Sequence, residues 1–571
     1  MEQRPKPKPS KQMIQKIDYR LPLILIGGFL FQFLFWDELL GLNLLLYTLF
    51  VLVITFTDKQ IPFHRAKLYT ALPHFAVAIY ISYNNTILAI VTWFITLLVF
   101  LGTAHFVILK SVTTALVWGF LQVISGPGII GQLRATKVGK INLKPVLKPL
   151  KYIVLPLLMV IIFCSLYSLA NPIFAKYVSA LNTQINQFFG NIFRFLFIDI
   201  SFFKCIFIAI GCCITAGIIV SVKSNLLEDI EIKETDKLTR KRRKNKGSLL
   251  FDDFKTLFSG NQTKKLLALK TENIIAIISF IALNALLLFL NAIDVFTLWL
   301  NNKVDVGKDF SAELHDGTNT LIFSIVIAML IVVYFFSGNL NFYRRNKFIK
   351  LLAYFWIAQN AFLVLSVFHR DYDYIFYHRL THKRIGVAVF ATLSLIGLIT
   401  VYLKIAKQRT IFFLYRINSK IWYVLLVLLS FVNWDVLIVS YNLEKAHKIG
   451  VDVDHLMSFS DKTLPLLQKN RALLLKHAII KAESEQRSHD ETKAASDSIV
   501  TGVAVTLEDT NAVSPLSKAE QKALTIKNVK EDFDQRLDNK IEWFLEKQKK
   551  CSWLSFSYLN WEAVESLKKL D

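Results

Sequence analysis

The side chains able to do chemistry gather in two polar clusters of this 571-residue chain. The first is Glu313-Leu-His315-Asp316-Gly-Thr-Asn319. The second runs from His369-Arg370-Asp371-Tyr372-Asp373-Tyr374 through His378-Arg379 to His382-Lys383-Arg384. Asp435 and Asn442 join them further along the chain. Three chemistries fit these residue types. His315, His378 and His382 with Glu313 or Asp316 make a His/carboxylate set of the kind that binds metal. No HExxH motif supports that set, and no metal is assigned. Arg370, Arg379 and Arg384 can grip a phosphate or carboxylate bidentately, with Tyr372, Tyr374 and Tyr377 at the interface. Glu313 or Asp316 beside a histidine can deprotonate a hydroxyl of a lipid-linked substrate. A fourth reading needs no ligand: the charges pair between loops, for instance Arg370 with Asp371 or Asp316, and fix helix ends.

The elements that must position these residues are apolar spans. The sequence is 54% hydrophobic with a mean hydropathy of +0.43. Its apolar residues come in blocks long enough to cross a bilayer. A crossing segment must satisfy its own backbone, and the blocks lack the alternation of barrel strands, so they read as helices. The fold class is all-α: a polytopic membrane protein with about 11 transmembrane helices and a C-terminal helical tail outside the membrane. The spans fall at 21–36, 41–57, 68–82, 86–108, 152–170, 200–222, 274–299, 320–336, 351–368, 385–403 and 421–440. Segment 111–131, broken by Gly126-Pro127-Gly128, reads as interfacial or re-entrant on the inner face.

Charge orients the layout. The net charge is +24. The segments between spans on one side, with the N-terminus, hold 38 Lys and Arg. The short loops on the other side hold eight: Lys176, Arg194, Lys303, Lys308, Arg370, Arg379, Lys383 and Arg384. Cytoplasmic loops carry such an excess, so the N-terminus reads as cytoplasmic and, with an odd span count, the C-terminus as extracytoplasmic. The basic run Arg240-Lys-Arg-Arg-Lys244 then belongs to a cytoplasmic loop near anionic lipid rather than to nucleic acid.

The domains follow: a basic N-terminus at 1–20, a first bundle at 21–222, a basic loop at 223–273, a second bundle at 274–440 and a tail at 441–571. In the tail, Ser460-Asp461 caps a helix running to about 482, 483–514 is a polar linker, and Ser514-Pro515 opens a second helix to about 550. The five cysteines form no disulfide framework and no zinc pattern. No Walker or kinase motif occurs, and no cofactor is assigned.

Glu313-Leu-His-Asp-Gly-Thr-Asn319, Arg384-Ile-Gly-Val387, and Asn433-Trp434-Asp435 with Tyr441-Asn442-Leu443 resemble the bacterial multi-pass family called domain of unknown function 4173, a relative of family 4153. The resemblance covers roughly 270–471, and the first half and the tail resemble no named family. It implies a bacterial inner-membrane protein and brings no assigned activity and no catalytic residues. The expected function is a non-enzymatic envelope interaction or assembly component, with a protein partner on the tail. The alternatives are a transporter or lipid-handling protein using the polar cluster, and an interface transferase. The candidate cluster is Glu313, His315, Asp316, Asn319, Arg370, Asp371, Asp373, His378, Arg379, His382, Arg384, Asp435 and Asn442. The expected partners are the bilayer, anionic lipids at the cytoplasmic face and the envelope protein.

Overall fold

The computed structural model describes residues 20–59, 61–107, 109–126, 172–195, 201–220, 269–300, 310–337, 339–446, 450–500 and 518–570, with short pieces between 137 and 168 and at 231 and 235–238. Helix dominates. The described strands are two residues each, β1 (Lys137–Val138) and β2 (Ile141–Asn142), paired antiparallel. Among the described residues, five helices are long and apolar enough to cross a membrane, at Ile87–His105, Asn273–Leu300, Lys347–His378, His382–Ala406 and Ile411–Ser430, and five shorter apolar helices accompany them.

The first four helices run up and down: α1 (Arg20–Phe35), α2 (Leu42–Thr57), α3 (Arg65–Tyr83) and α4 (Ile87–His105). Polar residues at the helix ends define the two faces of this bundle. At one end Arg20 pairs with Asp58 at 2.6 Å, and Lys67 donates to the Thr55 carbonyl at 2.6 Å, all of them buried. This basic end is where the sequence puts the cytoplasm. At the other end lie the turns 36–41 and 84–86, where the Thr86 hydroxyl accepts from Ala89 N–H and caps α4.

Helix α5 (Val112–Ile124) packs closely against α4, with Ala115, Trp118 and Gln122 buried and Val117, Phe120 and Leu121 exposed. A Cβ added at Gly102 would stand 1.9 Å from the Ala115 carbonyl oxygen, and one at Gly119 would stand 1.9 Å from that of Leu98. Small residues let helix backbones approach this closely within a membrane. The rest of the segment read as interfacial, 127–131, lies outside the described residues, as does most of the span expected at 152–170. Helix α6 (Pro172–Phe195) is amphipathic and largely exposed on the faces described. Helix α7 (Phe202–Ile219) runs antiparallel to α1: Phe207 meets Trp36 at the turn end, and the Ile218 carbonyl meets His105 Nε2 at the basic end.

The second bundle is built from α8 (Leu269–Asp294), α9 (Phe310–Phe335), α10 (Lys347–His378), α11 (His382–Ala406) and α12 (Ile411–Ser430). A ladder of amides joins the parallel helices α8 and α10. Gln359 Nε2 donates to Asn284 Oδ1 at 2.7 Å, and Asn291 Nδ2 donates to the Gln359 carbonyl at 3.2 Å. These amides bond neighbouring helices, the commoner use of uncharged polar residues within a membrane.

Two boundaries differ from the expected ones. The last span is Ile411–Ser430, about ten residues earlier than 421–440. Arg416 read as a loop charge because its partner is remote: it pairs with Asp236, in the basic loop, from within α12. Thr410 N–H donates to the Asp236 carbonyl at 3.0 Å and fixes the same contact. The chain then breaks at 431–433 and restarts as α13 (Trp434–Lys445), capped by Asn433 Oδ1 accepting from Val436 N–H. Asp435 therefore sits in the first turn of a new helix rather than inside a span.

The tail is a helical module. It comprises α14 (Val453–Met457), α15 (Leu464–Lys469), α16 (Arg471–Val500), α17 (Lys518–Lys550) and α18 (Tyr558–Leu570). Helix α16 extends to Val500, so the first half of the expected linker is helical, and 501–517 lies outside the described residues. Ile438 and Val439 of α13 share one core with Leu464, Leu467, Phe533, Leu537, Phe544 and Leu567. At about 1.5–3 kcal/mol per fully buried large apolar side chain, this core holds the helices of the tail to one another and to α13.

Candidate functional site

The polar cluster assembles at the turn end of the second bundle, where α10 passes into α11 and the tail begins. Helix α10 outlasts its apolar span by ten residues. Leu351 to Phe368 lies among apolar neighbours, and His369 to His378 continues the same helix into polar surroundings. That continuation places side chains three and four residues apart on shared faces.

Asp371 and Arg384 meet inside, Oδ1 to Nη1 at 3.6 Å, with side chains 4% and 1% exposed. The Arg384 guanidinium lies flat over Tyr374, 3.2 Å from the ring centroid, and the His378 ring stacks on the same tyrosine at 4.5 Å. Arg370 reaches across to Asp294 at the end of α8. His369 Nδ1 pairs with Asp373 at 3.0 Å, one helical turn away.

The turn itself is locked to α13. Arg379 adopts φ 80° and ψ 164°, a strained conformation for a residue with a side chain. Its Nη2 donates to the Lys445 carbonyl at 2.9 Å. Asn442 clasps Leu380 with two bonds of 3.0 Å, accepting from its N–H at Oδ1 and donating from Nδ2 to its carbonyl. Thr381 caps α11 by accepting from Arg384 N–H. His382 Nε2 pairs with Asp435 Oδ1 at 2.9 Å, and its ring packs on Phe459 of the tail.

Nine of the thirteen expected residues, Arg370, Asp371, Asp373, His378, Arg379, His382, Arg384, Asp435 and Asn442, are thus engaged with each other, with a neighbouring helix or with the tail. Arg370 pairs with Asp294 rather than with Asp371, because α8 and α10 are parallel and the end of α8 lies beside the end of the apolar part of α10. Glu313, His315, Asp316 and Asn319 lie on the first turns of α9, which begins at Phe310, ten residues before the apolar span. Their side chains lie outside the described residues. Among the described residues no three His, Cys, Asp or Glu side chains converge as metal ligands. Among the described residues the arrangement is one of pairwise cross-links between helix ends, with Asp371 Oδ1, Arg384 Nη2 and Asp294 Oδ2 left buried without a hydrogen-bond partner.

Sequence reasoning missed the residues that tie the tail to the first bundle. Lys462 donates from Nζ to Asn84 Oδ1 at 2.8 Å and to the Asn85 carbonyl. Ser555 Oγ donates to Glu38 Oε2 at 2.7 Å and accepts from Leu39 N–H at 2.9 Å. Leu42 N–H donates to the Phe556 carbonyl at 3.1 Å, and the rings of Tyr83 and Tyr558 stack 5.3 Å apart. The only sequence signal is that 36–41 and 84–86 are polar turns on the face given to the tail. Burial pushes the Lys462 ammonium down to about 8, while Asp435 and Asp461 pull it back up.

These features describe a multi-helix membrane bundle with a docked helical module. The chain matches the family model described as domain of unknown function (DUF4153) over residues 23–470, and it belongs to that family. The match takes in the first bundle, where the sequence resembled no named family, and it ends one residue before α16. No curated protein and no solved structure matches the chain.

Proposed function

We propose that this protein is a non-enzymatic interaction component of the cell envelope, held in a cell inner membrane by eleven spans. The observation that carries this reading is the fate of the polar cluster. Its described charges pair with one another, with Asp294 and with α13, which supports a role in holding the docked module. A transferase or metal site needs converging groups around a space for substrate.

The direction of the helices supports the span count. Helix α4 ends at the basic end, and α7 begins at the turn end beside Trp36. These directions fit an odd number of crossings between 106 and 201, and one crossing there would give eleven with α1–α4, α7 and α8–α12. The concentration of Lys and Arg at the basic end supports a cytoplasmic N-terminus and an extracytoplasmic module, with anionic lipid at the cytoplasmic face.

The module offers a partner surface away from the bundle. Helices α16 and α17 run antiparallel, tied by Arg471 to Asp534 and Asp538 near the core and by Lys522 to Glu483 further out. Over its 30 residues α16 is about 45 Å long at the usual helical rise. Ile480 and Leu524 stand half exposed on this pair. An envelope protein contacting that apolar pair is the expected partner.

The test is the size of the particle that contains the full-length chain when it is extracted from its own membrane. Wild type should run well above the 65.6 kDa chain with its detergent. Ile480→Glu combined with Leu524→Glu should collapse it to the single chain without lowering the amount of folded protein. A single-chain particle for wild type would overturn the proposal.

A further inference from the structure

Helix α1 turns one apolar stripe out of the bundle. Ile26, Phe29 and Phe33 are each 56% exposed and stand three and four residues apart. On a membrane-spanning helix such a stripe faces acyl chains. One turn beyond Phe33 the stripe reaches Asp37, where the chain leaves the helix and the chemistry changes. Asp37 and Glu38 form one wall of a cavity of about 380 Å³, and Trp543, Glu546, Lys547, Lys550 and Ser552 of the docked module line the other.

The cavity carries both signs of charge. Glu38 is held in place by the hydroxyls of Ser552 and Ser555. The Lys547 ammonium sits 4.7 Å from the centroid of the Trp543 ring, and that indole is itself 56% exposed. Among the described ion pairs none involves Lys547 or Lys550. Burial raises the Cys551 thiol, on which Lys547 and Glu38 act in opposite directions. Trp553 and Trp561, 61% and 50% exposed, line a neighbouring cavity that shares Cys551, Ser552 and Ser555 with this one. Indoles and lysines gather where a protein meets the headgroup layer.

We propose that this cavity binds the headgroup of a phospholipid that carries both a phosphate and a primary ammonium, with its acyl chains along the α1 stripe. Lys547 and Lys550 face the phosphate, and Asp37 and Glu38 accept from the ammonium. A primary ammonium has three N–H donors for those carboxylates. A trimethylated one has none, and a glycerol headgroup brings no positive charge. The site joins the two bodies at their seam, because one wall belongs to the first hairpin and the other to the tail. It stands or falls separately from the partner surface at Ile480 and Leu524.

The full-length protein is placed in nanodiscs of equal phosphatidylethanolamine, phosphatidylglycerol and phosphatidylcholine, and the lipids it retains are counted by native mass spectrometry. Wild type should keep phosphatidylethanolamine in preference to the other two. Lys547→Gln with Lys550→Gln should weaken that retention about five- to tenfold, as expected for two partly exposed charge contacts. Asp37→Asn should reduce the preference for phosphatidylethanolamine over phosphatidylglycerol. Glu38 is left intact because it also positions Ser552 and Ser555, and all variants should melt with wild type in phosphatidylcholine alone. Equal retention of the three lipids, or unchanged retention in the double variant, would overturn the proposal. Displacement of the lipid by equimolar glycerophosphoethanolamine would overturn the role of the acyl chains and make the ligand the free headgroup.

Discussion

Lys462 donates to the side chain of Asn84 across 378 positions of sequence, at 2.8 Å. The bond joins the tail to the turn between α3 and α4, and the Asn85 carbonyl accepts from the same ammonium. Burial lowers this lysine from 10.5 to about 8. The docked state therefore holds fewer protons on Lys462 than the undocked state, and this group makes docking more favourable as pH rises between about 8 and 10.5. The contribution is lost as pH falls through about 8. Comparing the thermal midpoint of wild type with that of Lys462→Met across this window isolates it. The difference should move in favour of wild type with rising pH, and a flat or opposite trend would contradict the assignment.

Arg384 gives a prediction about folding rather than activity. Its guanidinium and the Asp371 carboxylate are both buried, so Arg384→Ala leaves a carboxylate without its partner inside the protein. Removing one member of a buried pair costs about 3–5 kcal/mol. The variant should fail to accumulate as folded protein in the membrane. Arg384→Lys keeps the charge but loses the flat contact with Tyr374, and should rescue only part of the loss. Normal membrane levels of Arg384→Ala, with function lost, would instead point to a ligand.

The close approach of α4 and α5 is equally open to mutation. Gly102→Ala puts a methyl group 1.9 Å from the backbone oxygen of Ala115, which cannot move without shifting α5. Overpacking of this kind costs about 1–3 kcal/mol. A lower thermal midpoint is expected, and an unchanged one would mean that α5 lies on the bundle rather than in it.

Acid should loosen the tail in a defined order. Asp454 accepts from Lys481 and Arg536, and both contacts hold its carboxyl below the ordinary value of 3.8. The folded state therefore binds its proton less readily than the unfolded one. The stability it contributes is present above the ordinary value and lost as pH falls through the lower, folded one. Lys481→Ala removes part of that contribution, so the module of the variant should show a shallower loss of stability with acid than wild type. Identical acid profiles would contradict the pairing.

Helices written in blocks of apolar residues were legible in the sequence, because a bilayer imposes their length and composition. The displaced α12 shows the limit. Arg416 looks like a loop charge until Asp236, 180 positions away, supplies a partner. The cluster around Arg370 and Arg384 was legible as a gathering of charges on one face. Its pairing was not, since α8 and α10 had to be parallel before Asp294 could meet Arg370. The amphipathic pattern of α17 announced a buried face but not its neighbour. The docking contacts at Glu38, Asn84, Lys462 and Ser555 belong to short polar turns that have no periodicity to read.

The central claim is that the C-terminal module sits on the turns of the first bundle. Asn85 N–H donates to Ser557 Oγ at 3.3 Å, and that hydroxyl also donates to the Tyr83 carbonyl. Cysteines at these two positions, Asn85→Cys with Ser557→Cys, can therefore be joined by oxidation or a short thiol cross-linker in intact membranes. The fold predicts a cross-linked peptide joining 85 to 557 at high yield, and little joining 557 to a cysteine placed at Lys59 on the basic end. Efficient linkage to 59 and none to 85 would put the module on the opposite face and contradict the account.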